Sequence, residues 1–305
     1  MKISKCTRFV VIVGTVLGGA NGAQGQTLEE KKATIAFLRG LQSADGGFLP
    51  APASAGEVAA KPSLRATSAG LRALKYFGGE VPDKKSAGQF VAQCFDETTG
   101  GFRDHPAAKT KPEVSTTAVG LMAVVELKLP ANAYMDTGVR YMSESARTFE
   151  EIRMAAAGLE AVGKHLPATE RWLQEIAKMR NADGTFGKDD GVVRATGSAA
   201  AAILRLGGKL ENRDKIVQNL KNGQRPDGGY GASRVEGTAT SDLETSYRVI
   251  RSLKMLKEKP ADVAKCKAFI ARCRNKDGGY SVAPGQRSSV SATYFAGIIL
   301  HWLDE

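Results

Sequence analysis

The sequence has 305 residues, of which 42% are hydrophobic and 25% are charged, and its formal net charge at pH 7 is +11. These proportions are typical of a globular protein and exclude an intrinsically disordered chain, and the 34 glycines have no collagen period. The lysines and arginines are scattered, which predicts a solvated, mildly cationic surface; binding to anionic envelope polymers is the alternative. No nucleic-acid-binding motif accompanies the charge, so we expect no nucleic-acid partner.

The first 25 residues, 1–25, have the pattern of a secretory signal peptide. Basic residues between Lys2 and Arg8 precede the apolar run 9–17, and small residues at 23–25 supply a cleavage site. The apolar run is too short to span a bilayer. We therefore expect a mature protein that begins near Gln26, is secreted or periplasmic, and has no transmembrane span once the signal peptide is removed.

Three cysteines follow the signal peptide, namely Cys94, Cys266 and Cys273. An odd number of cysteines cannot pair completely. Cys266 and Cys273 would lie roughly 10 Å apart along one helix, which is too far for a disulfide. Cys94 and Cys273 occupy the same position in two copies of a repeat, which predicts buried, apolar side chains. The chain has no CxxC pattern, so we expect no metal site at these thiols.

The repeat extends over most of the remaining chain. Each copy has an apolar, helix-like stretch, then a glycine-rich turn such as Asp-Gly-Gly-Tyr that ends in an aromatic residue. The first turn glycines are Gly46, Gly100, Gly184, Gly228 and Gly278. The wide gap before Gly184 contains a sixth, degenerate copy at residues 131–163. Glycine tolerates the positive φ that a chain reversal after a helix needs, so we expect a positive φ at each of these turns.

Each turn is followed by a loop and a second helix that is rich in Ala, Gly, Ser and Thr. These second helices are predicted at 63–77, 115–127, 152–162, 194–206, 242–256 and 290–303. Short side chains let helices approach closely, as an inner ring requires, whereas the preceding helices are amphipathic, as an outer ring requires. The sequence therefore predicts an all-α fold, an α/α toroid of about six helix pairs over residues 26–305, with essentially no sheet.

The glycine-turn pattern resembles the prenyltransferase and squalene-cyclase repeat family. Residues 242–254 and 267–285 are most similar to the beta subunit of Rab-type protein geranylgeranyltransferases. The resemblance implies the terpenoid-cyclase type of α/α toroid and a link to isoprenoid chemistry. In family transferases, a catalytic zinc holds the acceptor thiol as a thiolate. The family contains transferases, cyclases and non-enzymatic binding domains, so the resemblance specifies the fold more closely than the function.

The zinc ligands of that family are only partly matched in this sequence. Asp242 stands at the position of the family's aspartate, but Glu244 and Ala292 stand where its cysteine and histidine would be. We therefore predict no bound zinc and no other cofactor, and we assign no catalytic residue. Asp242 has two interpretations: an N-cap for the following helix, or one of a carboxylate pair with Glu244 that faces a hydrophilic ligand or a hard cation.

Five residues are candidates for ligand binding. The resemblance implies that Arg, Lys and Tyr side chains around the cavity mouth bind diphosphate, and the loose positional candidates are Tyr247, Arg194, Lys188 and, outside this set of five, Arg234. The alternative is that these side chains are only solvated. Asp242 and Glu244 are added as the carboxylate pair. Nothing in the sequence indicates an alpha subunit.

Polar residues at the starts of the inner helices, such as Thr67, Thr196 and Thr293, predict a hydroxyl-rich mouth above an apolar floor. Such a cavity suits a small apolar, amphipathic or peptide ligand. The alternative is that the hydroxyls only cap helices and that small side chains fill the centre. We therefore expect an exported binding toroid without the catalytic zinc. A prenyl transferase or isoprenoid-processing enzyme with an altered site, or another hydrolase or lyase, are the alternatives, so enzymatic activity is left open.

Overall fold

The computed structural model describes residues 26–53, 60–164, 168–235 and 238–305, and the predicted signal peptide lies outside these ranges. In this part of the chain, outer and inner helices alternate. The outer helices are α1 (Leu28–Arg39), α3 (Lys84–Gln93), α5 (Met135–Ser145), α7 (Thr169–Ala177), α9 (Arg213–Asn222) and α11 (Val263–Arg272). The inner helices are α2 (Leu64–Phe77), α4 (Val114–Leu127), α6 (Phe149–Val162), α8 (Val192–Arg205), α10 (Leu243–Met255) and α12 (Val290–Asp304).

The inner helices form a closed ring. Each one packs on the next in chain order, and α12 packs on α2. The outer ring is closed by α1, where the Thr34 hydroxyl donates a hydrogen bond of 2.8 Å to the Gly278 carbonyl. The predicted all-α toroid of six helix pairs is confirmed, including the degenerate third pair, α5 and α6.

Small residues let the inner helices approach closely, as the sequence predicts. A Cβ atom built on Gly197 of α8 would lie 3.1 Å from the Cα atom of Val249 on α10. Likewise, a Cβ atom on Gly158 of α6 would lie 3.1 Å from the Cβ atom of Ala118 on α4. Larger side chains at these positions would force the two backbones apart.

The first turn glycines all have a positive φ, which confirms the prediction: the values are 89° for Gly46, 76° for Gly100, 91° for Gly184, 91° for Gly228 and 87° for Gly278. Each of these turn glycines also lies against the next outer helix or the N-cap of that helix. A Cβ atom on Gly46, for example, would lie 2.1 Å from the carbonyl oxygen of Ser86 on α3. Glycine is therefore required at this position for two reasons: it adopts a positive φ, and it has no Cβ atom to overlap with the neighbouring helix.

The predicted absence of sheet is wrong in detail. Strand β1 (Tyr230–Val235) pairs antiparallel with β2 (Thr238–Asp242), and β3 (Tyr280–Ser281) pairs with β4 (Ser288–Ser289). Both hairpins run from a turn aromatic to the start of an inner helix. Gly231 allows the first pair to form, because a Cβ atom there would lie 1.8 Å from the carbonyl oxygen of Thr240.

Inner-helix hydroxyls anchor the turns. The backbone N–H of the turn aromatic donates to a hydroxyl one turn into the inner helix. The pairs are Phe48 with Thr67 at 2.9 Å, Phe102 with Thr117 at 3.0 Å, Phe186 with Thr196 at 3.0 Å, Tyr230 with Ser246 at 3.1 Å and Tyr280 with Thr293 at 3.0 Å. These hydroxyls are buried. They therefore satisfy backbone groups, and the expectation that they line a cavity mouth is wrong.

Thr196→Val should lower the free energy of unfolding by about 1–3 kcal/mol, because it leaves the buried N–H of Phe186 without an acceptor. Chemical denaturation of the variant measures this change. Thr98→Val, at an exposed position of a turn, is the matched control and should change the stability by less than about 0.5 kcal/mol. Equal stabilities for the two variants would contradict this role of the hydroxyl.

Cys94 and Cys273 are buried and free, as predicted, and Cys266 is also buried and free. Burial raises the pKa of the Cys94, Cys266 and Cys273 thiols to about 12. Such thiols are protonated at neutral pH, so they are poor nucleophiles. Within the described ranges, no helix has the length and apolar character needed to cross a membrane.

Candidate functional site

A cavity of about 220 Å³ lies at the centre of the ring, and all six inner helices contribute to its wall. The polar side chains of the wall are Arg65, Arg72, Arg153, Arg205, Glu244, Tyr247, Arg248, Ser291 and Tyr294. Alanine, valine, methionine and phenylalanine side chains complete the lining. The predicted cavity is therefore present, but its polar groups are mainly arginines and tyrosines, with one glutamate and one serine.

The arginines belong to the inner helices and reach the centre because their neighbours are small. Arg194 and Arg205 of α8 flank a run of Gly, Ser and Ala, and Arg65 and Arg72 lie two turns apart on α2. Residues seven apart lie on one face of a helix, so both side chains of α2 face the ring centre. Sequence analysis predicted none of the five arginines of the wall, namely Arg65, Arg72, Arg153, Arg205 and Arg248.

One group of ion pairs joins α6, α8 and α10. The Glu244 carboxylate accepts from Arg194 at 2.7 Å and from Arg248 at 2.8 Å. Arg248 also contacts Glu150 of α6 at 3.0 Å, and Arg153 contacts the same carboxylate at 2.7 Å. Two of the predicted ligand-binding residues, Glu244 and Arg194, are thus bonded to each other.

Asp242 is the N-cap of α10, as the first of its two interpretations predicts. Its carboxylate accepts from the Thr245 backbone N–H at 2.6 Å and from the Thr245 hydroxyl at 2.9 Å. Asp242 therefore stabilises the start of the helix that carries Glu244, Tyr247 and Arg248 into the cavity.

Lys188 is not brought to the central cavity. It is exposed and lies beside a separate, mainly apolar groove between the turn that follows α7 and the helices α6 and α8. Phe149, Met179 and Phe186 line part of this groove. The structure therefore brings Glu244, Tyr247 and Arg194 close together. Asp242 is the N-cap of the helix that carries Glu244 and Tyr247, and Lys188 lies at a different site.

The donor set at the family's zinc position does not fit a zinc ion. The Asp242 carboxylate is occupied by the helix cap, Glu244 is paired with two guanidinium groups, and the buried Ala292 has no ligating atom. Within the described ranges, no group of three or more His, Cys, Asp or Glu side chains is arranged to hold a metal.

Aromatic rings surround Tyr247, deeper in the cavity. Its ring centroid lies 4.9 Å from that of Phe295, 5.7 Å from that of Trp302 and 5.9 Å from that of Tyr294. Offset and tilted contacts of this kind fix the ring in one position. The phenol is consequently held in place, although the surrounding cavity has room for a ligand.

Three arginines make the Tyr247 phenol unusually acidic. Burial by itself would raise the pKa of Tyr247, but the charges of Arg205, Arg251 and Arg72 outweigh it and lower the pKa to about 8. The neighbouring Tyr294 is more deeply buried, and burial raises its pKa. Tyr247 is therefore the phenol that ionises first in this pair.

Ionisation of Tyr247 should make the stability of the protein rise with pH. An unfolded tyrosine has a pKa of about 10, so between about pH 8 and about pH 10 the unfolded chain binds more protons than the folded one. The contribution is complete above about pH 10 and is lost as the pH falls through about 8. We expect the difference in free energy of unfolding between wild type and Tyr247→Phe to increase from about pH 7.5 to about pH 9.5 in urea titrations. A constant or decreasing difference would contradict the lowered pKa.

Comparisons with known proteins agree with this architecture. The family model of the prenyltransferase alpha-alpha toroid domain matches residues 69–133 and 132–305. A curated relative, the geranylgeranyl transferase type-2 subunit beta of Candida albicans, is 26% identical over 123 residues, which cover 36% of this chain and 36% of that subunit. The chain thus matches only about a third of the length of this relative.

Solved structures show the same fold at low sequence identity. Protein geranylgeranyltransferase-I of Candida albicans complexed with GGPP has a TM-score of 0.62 and 16% identity, over 78% of this chain and 83% of that chain. A type II terpene cyclase from Scytonema, in complex with geranylgeranyl dihydroxybenzoate, has a TM-score of 0.60 and 10% identity, over 90% of this chain and 95% of that chain. Since the family model covers most of the chain, including every inner helix but the first turn of α2, the chain belongs to the prenyltransferase alpha-alpha toroid family.

Proposed function

We propose that the protein is an exported toroid whose central cavity binds an anionic amphipathic ligand, without the help of a catalytic zinc. The observation that carries the proposal is the composition of the cavity wall, which has five arginine side chains and one carboxylate, that of Glu244. Guanidinium groups bind phosphate and carboxylate groups through paired hydrogen bonds. Four of these arginines contact a carboxylate, but within the described ranges Arg72 donates only to the Ser68 carbonyl and the Tyr294 hydroxyl. The charge of Arg72 therefore favours an anionic group on the ligand.

The rest of the wall suits an apolar portion of the ligand. Val119, Met122, Met154 and Phe295 line the same cavity. Methionine side chains adapt to irregular apolar surfaces, and rings provide flat contact area. At about 220 Å³, the cavity is smaller than the roughly 300–1,000 Å³ of a drug-sized ligand pocket. It therefore accommodates the head group and the first part of a chain rather than a long isoprenoid in full.

Isoprenoid diphosphates are the first ligand class to test, since they combine an anionic head with an apolar chain and one structural neighbour is complexed with GGPP. Geranylgeranyl diphosphate, at about 100 times its Kd, should raise the melting temperature of the wild type by about 5 °C or more. Geranylgeraniol, which has the same chain without charge, should have a much smaller effect. Equal shifts with the two compounds, or no shift with either, would contradict the proposal.

A blocking variant locates the binding site. Ala157 lines the cavity, so Ala157→Phe should fill part of it and abolish the melting shift with geranylgeranyl diphosphate. Ala107→Phe, at an exposed loop position, is the matched control and should bind like the wild type. Binding that survives in Ala157→Phe would place the ligand outside the central cavity.

Zinc separates the binding toroid from a transferase with an altered site. Because Asp242 and Glu244 lack a cysteine or histidine partner, the purified mature protein should retain far less than one zinc per chain after dialysis. Elemental analysis measures this content. One zinc per chain in the wild type, lost in Asp242→Ala, would instead support the transferase.

Export rests on the signal-like residues 1–25. N-terminal sequencing of protein recovered from the periplasm or medium should find a start near Gln26. An intact Met1 on that material would contradict processing, although the binding proposal does not depend on it.

A further inference from the structure

Two tyrosines lie side by side in the wall of the central cavity. Tyr247 of α10 and Tyr294 of α12 both line the cavity, and their ring centroids are 5.9 Å apart. Tyr247 is partly exposed, whereas Tyr294 is only 4% exposed. A single molecule in the cavity can therefore contact both phenols.

The two phenols differ in acidity. Arginine charges lower the pKa of Tyr247 to about 8, whereas burial raises the pKa of Tyr294 above its ordinary value. At about pH 8, Tyr247 is therefore partly ionised while Tyr294 keeps its proton. Two neighbouring groups whose environments push their pKa values apart can act as a base and an acid on the same substrate.

The charges around Tyr247 favour its ionised form. The side chains that α4 contributes to the cavity wall are apolar. The charged and titratable groups of the other elements around the phenol are Glu244, Arg248 and Arg251 on α10, Arg65, Arg72 and Tyr76 on α2, Glu150, Arg153 and Glu160 on α6, Arg194 and Arg205 on α8, and Tyr294 on α12. Guanidinium groups outnumber carboxylates in this set, so the phenolate of Tyr247 is stabilised.

Arg72 is available to bind a carboxylate next to the two phenols. Its Nε atom donates to the Ser68 carbonyl at 3.2 Å, and its Nη1 atom donates to the Tyr294 hydroxyl at 2.9 Å. Its Cζ atom also lies 4.1 Å from the centroid of the Tyr294 ring. Among the described residues, no carboxylate pairs with this guanidinium, in contrast to the other four arginines of the wall. A carboxylate that binds to Arg72 would therefore place its substrate beside both tyrosines.

We propose that the central cavity catalyses a β-elimination on a uronate, in which Tyr247 is the base, Tyr294 is the acid and Arg72 binds the substrate carboxylate. The proposal goes beyond ligand binding, although it uses the same cavity. Its chemistry defines the substrate class: a carboxylate, a hydrogen on the adjacent carbon, and an ether oxygen on the next carbon. A 4-linked uronate of an acidic polysaccharide has all three features.

The reaction transfers one proton to Tyr247 and one from Tyr294. The Tyr247 phenolate removes the hydrogen on carbon 5 of the uronate as a proton, and the electron pair moves into the carboxylate, whose added charge Arg72 stabilises. The bond between carbon 4 and the ether oxygen then breaks, a double bond forms between carbons 4 and 5, and the leaving oxygen takes the proton of Tyr294. Proton transfer from Tyr247 to Tyr294, which has the higher pKa, restores both phenols. The balance needs no water and no co-reactant.

Incubation of the mature protein with polygalacturonate and with polymannuronate tests the reaction. The wild type should release an unsaturated uronate from at least one polymer, seen as the ultraviolet absorbance of a double bond conjugated to a carboxylate. Tyr247→Phe should lower kcat by about 10²–10⁴-fold. Tyr134→Phe, which packs against Phe95 and Phe102 away from the cavity, is the matched control and should have the wild-type rate. No unsaturated product from either polymer, or a wild-type rate in Tyr247→Phe, would overturn the proposal.

The pH profile tests the base. Since Tyr247 must be ionised to accept the proton, kcat/KM of the wild type should rise by about tenfold per pH unit below about pH 8 and level off above it. Arg72→Met removes one of the charges that lower the pKa of Tyr247, so the midpoint should move to higher pH and KM should rise by about tenfold or more. If Arg72→Met does not fold, Arg72→Lys should keep the midpoint and still raise KM, because it lacks the planar fork. An unchanged midpoint in folded Arg72→Met, or an unchanged KM in a folded Arg72 variant, would contradict the role of Arg72.

The leaving group tests the acid. A uronate that carries 4-nitrophenolate on carbon 4 needs no proton donor, because this leaving group is stable as an anion. Tyr294→Phe should therefore be slow on the polymer and nearly as fast as the wild type on the nitrophenyl ether, whereas Tyr247→Phe should be slow on both. An equal loss on the two substrates in Tyr294→Phe would overturn its role as the acid.

The outcomes distinguish this inference from the proposed function. If geranylgeranyl diphosphate raises the melting temperature as proposed and neither polymer is cleaved, the elimination is wrong and the binding toroid stands. If a polymer is cleaved and geranylgeranyl diphosphate has no effect, the proposed ligand class is wrong and the elimination stands.

Discussion

Gly228→Ala should lower the free energy of unfolding by about 3 kcal/mol or more, the largest stability effect that we expect from a single methyl group in this protein. Gly228 has a φ of 91°, which costs an L-residue about 1–2 kcal/mol. In addition, a Cβ atom there would lie 2.0 Å from the carbonyl oxygen of Lys265 on α11. Relieving that overlap requires the outer helix to move, at a further cost of about 1–3 kcal/mol.

Gly78 provides the matched control, since it has a φ of 78° but no atom within 4 Å of the Cβ position. Gly78→Ala should therefore cost about 1 kcal/mol, from backbone strain alone. Urea denaturation of both variants, with the wild-type m-value retained, measures the difference. Equal losses in the two variants would show that the contact with α11 is unimportant.

The two parts of the glycine effect differ in how far sequence predicts them. The positive φ was predictable because Asp-Gly-Gly-Tyr after a helix is a local pattern with a local cause. The contact between Gly228 and Lys265 was not, because it depends on how one helix pair stacks on the next. The ring itself was predictable, since six alternations of amphipathic and small-residue helices have few other ways to bury their apolar faces.

The hairpins were missed for a related reason. Strand β1 begins at the buried turn aromatic Tyr230 and pairs with a segment that leads into α10. The two strands pair because the chain reverses direction between α9 and α10, whose positions are set by the ring. Such short strands have no alternating apolar pattern to detect in the sequence.

The arginine-rich centre was not predicted because the inner helices are rich in small residues, which by themselves indicate an apolar interior. Alanine and glycine around Arg205 predict an apolar interior, but they also leave the space that a guanidinium needs. One usable signal was available: the inner helices contain seven arginines and two lysines, although lysine is common in the outer helices. Arginine is preferred over lysine where a cation is buried and must make several hydrogen bonds.

The second large effect should come from Glu160→Gln, which keeps the shape of the side chain and removes its charge. The Glu160 carboxylate is the shared partner of Arg205 and Arg251, whose side chains are 6% and 18% exposed. Removing one partner from a fully buried ion pair costs about 3–5 kcal/mol. Since the Glu160 side chain is itself 39% exposed, solvent screens part of this, and we expect a loss of about 2 kcal/mol.

Phosphate should reverse that loss if the two arginines that Glu160 contacts also attract the anionic group of the proposed ligand. Without the Glu160 charge, Arg205 and Arg251 lose the carboxylate that they share, so Glu160→Gln should bind phosphate more tightly than the wild type does. A ligand that binds the folded state at about 100 times its Kd adds about 2.7 kcal/mol, which is enough to close the gap. The melting temperature of Glu160→Gln should accordingly rise more steeply with phosphate concentration than that of the wild type.

Glu175→Gln is the control for the charge change. Glu175 pairs with Lys178 on the outer helix α7, where the two side chains are 45% and 68% exposed, and such pairs contribute about 1 kcal/mol or less. Its phosphate response should equal that of the wild type. If Glu160→Gln also responded like the wild type, losing the carboxylate would affect only the ion pairs with Arg205 and Arg251. These arginines would then have a structural role and would not bind an anion. A steeper response confined to Glu160→Gln would instead show that Glu160 and the ligand neutralise the same guanidinium groups, so that the stability of the ring and the occupancy of its cavity depend on one set of charges.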